Sequence, residues 1–66
     1  MKINKGWWGK KVRLTDIDNQ IFTGTVAIIT GKEDNDEIGR DSIDLFDGEN
    51  YIFFSDNEIK NIEILD

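Results

Sequence analysis

The 66-residue chain predicts an all-β fold: five short strands closed into a small, strongly bent barrel. Three observations carry this. Ile, Val, Thr, Phe and Tyr are abundant and proline is absent, which is strand composition. Apolar residues alternate with polar ones at the period of two that a half-buried strand requires. Each alternating run is bounded by Asn, Asp or Gly, the residues that turn a chain most readily.

The elements follow in order. "KKVRLTDI" alternates Val12 and Leu14 against Arg13 and Thr15 and reads as a first strand. Asp18-Asn19 is a tight-turn signal, because both residues tolerate positive φ. "QIFTGTVAIIT" is a long second strand, and Gly24 within it permits a sharp bend or a close backbone approach. "KEDNDEIGRDS", residues 32–42, is an acidic strand-connecting loop. "SIDLF" then sets Ile43 and Leu45 inward against Ser42 and Asp44. "DGEN" is a turn containing glycine, and "YIFF", residues 51–54, is apolar on both faces, so it predicts a strand covered on both sides. Ser55-Asp56-Asn57-Glu58 carries a helix-start signature too close to "NIEIL" for a full helix, so a short 3₁₀ turn and a last strand are expected. Closing such strands into a barrel removes the edges that would otherwise aggregate.

The length allows one domain, residues 1–66, with residues 1–9 as an N-terminal extension bearing the Trp7–Trp8 pair. The chain has no cysteine and no histidine, which removes disulfides, thiolate zinc sites and the commonest general base. A core this small gives only about 3–5 kcal/mol, so support from self-association is expected. No apolar run is long enough to span a bilayer, and the N-terminus lacks an apolar signal region. A soluble cytoplasmic protein without membrane contact is the expectation. The formal net charge is −6, unevenly spread. Lys2, Lys5, Lys10, Lys11 and Arg13 precede every acid, and the remainder of the chain carries three bases and all 14 acids. An acidic body repels phosphate at long range, while the basic start could contact it locally.

"GKKVRLTDIDNQIFTGTV" and "YIFFSDNEIKNIEIL" together resemble the Sm-like (LSM) family, small bacterial or phage type. The first matches a strand–turn–strand with an aromatic two residues before a bending glycine, here Phe22 and Gly24. The second matches the family's fourth strand, 3₁₀ turn and fifth strand, with Ile59 and Ile62 in the apolar slots. The resemblance covers Gly9 to Leu65 and implies an SH3-like (Sm-like) five-stranded barrel. It also implies a ring in which strand four of one subunit pairs with strand five of the next, and RNA as a candidate partner. The nucleotide-pocket residues depart from the family pattern. Thr30 and Ser42 stand near the usual Asp and Asn, and Ser55-Asp56 replaces Arg-Gly. Asp56 thus puts an anion where phosphates would pass.

Candidate chemistry is sparse. An EF-hand reading that starts at Asp34 places Asp36 and Gly39 correctly but Ile38 and Leu45 at ligand positions. No specific metal site follows, only a weak divalent contact at Asp34 and Asp36. No carboxylate pair, nucleophile–base pair or phosphate-cradling glycine motif stands out, so neither an enzyme nor a cofactor nor a small-molecule substrate is expected. Trp7, Trp8, Lys10, Lys11, Arg13 and Tyr51 are the expected nucleic-acid or partner contacts; alternatively one Trp plugs the barrel end and the other covers its surface. Ile52, Phe54, Ile62 and Ile64 are the expected self-association residues. The first functional expectation is a non-enzymatic, self-associating Sm-like interaction module, with RNA bound outside the usual uridine pocket. The alternative is a monomeric SH3-like adaptor for a basic peptide or protein.

Overall fold

The computed structural model describes residues 1–65 and shows a five-stranded antiparallel sheet, coiled around one core and barrel-like. The strands are β1 (Lys11–Asp16), β2 (Ile21–Thr30), β3 (Ser42–Phe46), β4 (Tyr51–Ser55) and β5 (Ile59–Ile64). Three 3₁₀ turns, Lys5–Trp7, Lys32–Asp34 and Asp56–Glu58, are the helical elements among the described residues. The spatial order is β4-β3-β2-β1-β5. None of these described elements is long and apolar enough to cross a membrane as a helix.

Alternation places the core. Val12, Leu14, Val26, Ile43 and Leu45 are fully buried, with Ile3, Phe54 and Ile59 nearly so. Leu14 stands opposite Phe22 on one side and Ile62 on the other, so one row of the sheet fills the interior across three strands. Phe22 meets Phe54 edge-on at 5.1 Å between ring centroids, which brings β2 against β4 across the core. Ile3 and Trp7 pack on this core from the N-terminal segment. That segment joins the sheet at its end, where Gly9 N–H bonds Val26 O and Val26 N–H bonds Lys10 O.

The turns carry their own hydrogen bonds. Asp16 Oδ1 accepts from the N–H groups of Asp18 and Gln20, and Asn19 takes φ 64°. Asp47 Oδ1 accepts from Glu49 and Asn50, while Gly48 takes φ 106°, a value that glycine tolerates without strain. After β4, Ser55 and Glu58 form a reciprocal capping box, which halts the strand and starts the 3₁₀ turn. The fifth strand begins at Ile59, two residues before the alternating run "NIEIL", because a register shift at Thr15/Asp16 brings Ile59 opposite Asp16.

Two sequence expectations are corrected. β4 and β5 do not bond to each other among the described residues, so the barrel closes by packing and both strands keep an outer edge. Ser42, expected outward, is fully buried. It does point to the outer side of the sheet, but Asn35 folds back over it and donates Nδ2–H to Ser42 Oγ at 2.8 Å.

The bend in β2 has a steric cause. Gly24 sits opposite Val12, and a Cβ built there would lie 2.6 Å from Phe46 O, a backbone atom that cannot swing aside. A register shift between Val26 and Ile28 adds further twist. Gly24→Ala should therefore lose about 1–3 kcal/mol, the usual cost of overpacking a close contact. Urea unfolding monitored by tryptophan fluorescence checks this, and a midpoint equal to wild type would show that β2 bends without needing the close approach.

Candidate functional site

Strand pairing decides what the outer surface presents. Residues directly opposite each other in an antiparallel ladder point to the same side. Ile28, Asp44 and Phe53 therefore form one outward row across β2, β3 and β4. Lys11, Thr25, Phe46 and Tyr51 form the neighbouring row across β1 to β4. In the first row Ile28 is 43% exposed and Phe53 50%. In the second, Tyr51 is 62% exposed and leans on Phe46, with ring centroids 4.9 Å apart. The acidic loop borders this face. Asp34, Asn35, Asp36, Glu37 and Ile38 surround a shallow depression of about 440 Å³ floored by Phe53.

The loop is held rather than loose. Asn35 also donates to Arg40 O, Lys32 N–H donates to Asp41 Oδ1 at 2.8 Å, and Arg40 Nε bonds Asp56 Oδ1 at 2.6 Å. Asp34 and Asp36 stand in this loop, and the described residues include no group of three or more acids close enough to hold a metal ion.

The expected contact residues divide. Trp7 is half-buried against the core, and Trp8 is 56% exposed. Lys10 and Lys11 are exposed. Arg13 is also exposed, but its guanidinium is engaged by Glu63 at 2.8 Å across the β1–β5 pair. Tyr51 shares an outward row with Lys11. Among the expected self-association residues, Phe54 is corrected. Its pairing with Ile43 turns it inward, and it is only 5% exposed, so its side chain belongs to the chain's own core. Ile52 and Ile62 are half-buried against that core, and Ile64 remains 40% exposed. Sequence reasoning turned Asp44 outward but did not single out Phe53, Ile28 or Ile38 as surface features. The two-sided apolarity of "YIFF" was the available signal, but only the register says which side faces out.

The ladder also sets which backbone groups face the sheet edges. Bonded and non-bonded pairs alternate in antiparallel strands. Asp47 N–H bonds Asn50 O, and Asp56 N–H bonds Asp41 O; these two pairs share one phase. In that phase Ile52 and Phe54 bond to β3, while the N–H and C=O of Tyr51 and Phe53 point to the free edge. Ser55 follows the same pattern, and its outward N–H is taken by Glu58 Oε1 at 2.9 Å. On the opposite edge, Leu65 N–H bonds Lys11 O, which by the same alternation turns the backbone groups of Ile62 and Ile64 outward.

Chemically this surface offers apolar area, carboxylates and unpaired strand edges. Ser42 Oγ is engaged by Asn35, and Ser55 Oγ by Asn57 and Glu58. Two carboxylates have displaced acidities. Asp47 is held below the usual carboxylate range by the N–H groups of Asn50 and Glu49. Asp44, between Ile28 and Phe53, is pushed above it by burial. Comparison with known proteins finds no protein-family model, no curated protein and no solved structure that matches this chain.

The Asp44 shift has a defined sign. A carboxyl whose folded pKa lies above its unfolded value weakens the fold once both states are ionised, and this penalty vanishes below the unfolded value of 3.8. Asp44→Asn should therefore raise the melting temperature at pH 7, and the gain should shrink as the pH falls through the folded pKa toward 3. Melting curves of both proteins across that range test it; a gain independent of pH would assign the effect to something other than the Asp44 charge.

Proposed function

We propose that this protein is a non-enzymatic, Sm-like interaction module that assembles from several copies of itself in the cytoplasm. In this reading β4 of one chain adds to β5 of the next. The observation that carries it is the pair of unfilled edges at the two ends of one sheet, Tyr51 and Phe53 on β4 and Ile62 and Ile64 on β5. Each edge offers outward backbone donors and acceptors over a strand of five or six residues. Joining two different edges is a heterologous contact, which closes into a ring when the rotation per subunit allows. The partly exposed Ile52, Ile62 and Ile64 would gain cover, which suits a small core without disulfides. RNA, the family's usual partner, falls in this reading to the basic N-terminal surface around Trp8 and Lys10. The Arg40 guanidinium stands close to the position of the missing pocket arginine, but it is paired with Asp56.

The solution mass, by size exclusion with light scattering at low and moderate salt, tests the reading directly. The expected result is a closed oligomer. Phe53→Pro should convert it to a folded monomer, because the Phe53 N–H faces outward and proline there removes no bond to β3. Ile52→Pro, one residue away, should instead damage the fold. A wild-type monomer at all concentrations would overturn the assembly.

A further inference from the structure

The outer face of the β3–β4 hairpin is apolar at its centre and acidic at its rim. Ile28 and Phe53 flank Asp44, the Phe46–Tyr51 pair continues the apolar area, and Ile38 lines the depression beside Phe53. Asp34, Asp36 and Glu37 lie around the depression at Phe53, whose lining contains no lysine or arginine. The nearest loop arginine, Arg40, is paired with Asp56. We propose that this face docks a protein segment in which a lysine or arginine is flanked by apolar side chains, the cation meeting Asp44 and its neighbours covering Phe53, Ile28 and Ile38.

Charge complementarity selects this occupant. An apolar segment alone would strip water from the Asp44 carboxylate and leave a buried, unpaired charge. Asp44 lies between Ile28 and Phe53, and this partial burial already pushes its pKa above the usual carboxylate range. A cation at that position compensates the lost hydration, and the loop carboxylates add long-range attraction that speeds encounter. Nucleic acid and anionic lipid are repelled by the same carboxylates. Docking uses side chains on the sheet face, whereas assembly uses the backbone edge of β4. The inference therefore does not depend on self-association.

The test uses the full chain and a fluorescein-labelled peptide with a Leu-Lys-Leu core flanked by arginines. Amide shift mapping should place the largest changes at Asp44, Phe53, Ile38 and Ile28. Fluorescence anisotropy should show at least a tenfold loss of affinity for Phe53→Ser and for Asp44→Lys. Both substitutions are at exposed or half-exposed positions, and circular dichroism melts verify that the variants fold. A peptide with the leucines replaced by serine should bind at least tenfold more weakly, and one with lysine replaced by glutamate should not bind. Shifts centred on Trp8 or β5, no binding at all, or equal affinity for Phe53→Ser would overturn the proposal. Equal binding of the serine peptide would reduce it to non-specific charge attraction and overturn it too. If Phe53→Ser, which keeps the edge N–H, instead lowers the solution mass, the occupant is a second copy of the chain and the partner assigned here is wrong.

Discussion

The register of β3 against β4 is the constraint on which the surface depends. It is set at the Asp47–Asn50 turn, where one carboxylate oxygen accepts two successive N–H groups and Gly48 supplies the positive φ. The Asp41–Asp56 backbone bond at the other end of the hairpin holds the same phase. A slip of one residue would exchange the two faces of β4. Phe54 would leave the core, Phe53 would enter it, and Asp44 would lose Phe53 as its outward neighbour. The same phase determines which peptide groups face the open edge. Packing, outer face and edge chemistry are thus linked through a two-residue turn.

The bend in β2 does the complementary work on the inside. A ten-residue strand that stayed flat could not cover a core this small on both sides. Gly24 lets the backbone of Phe46 approach, and the register shift after Val26 turns the second half of the strand. Ile29 then faces Ile43, and Phe22 reaches Phe54 from the first half. The N-terminal segment seals one end of the interior with Ile3 and Trp7, leaving Trp8 outside. A tryptophan pair adjacent in sequence thereby splits into a packing residue and a surface residue where the 3₁₀ turn Lys5–Trp7 ends.

The acidic stretch between β2 and β3 is a connecting loop with a structural task. Asn35, in its middle, satisfies the hydroxyl of Ser42, which alternation had turned to the outer side and the loop then covered. Arg40 ties the loop to the 3₁₀ turn after β4 through Asp56. The carboxylates that remain around Phe53 give the outer face its sign. A loop expected only to link two strands therefore also shapes the surface beside it.

The sequence by itself determined the elements. Period-two alternation located β1, β3 and the last strand with the inward Val12, Leu14, Ile43 and Leu45, strand composition located β2 and β4, Asp-Asn and Asp-Gly marked the hairpin turns, and Ser55 with Glu58 marked the 3₁₀ turn, because each of these signals is written within a few neighbouring residues. Ile3 in the core and the start of β5 at Ile59 were less legible, since both depend on partners distant in the chain. In "YIFF" composition could not choose between the faces, because all four residues are apolar; only pairing with β3 turned Phe54 inward and Phe53 outward. Likewise no local pattern could tell that Asp44 would lie between Ile28 and Phe53, that Arg13 would be engaged by Glu63, or that β4 and β5 would end as unpaired edges. Those facts follow from contacts between strands far apart in sequence, and the tertiary structure alone decides them.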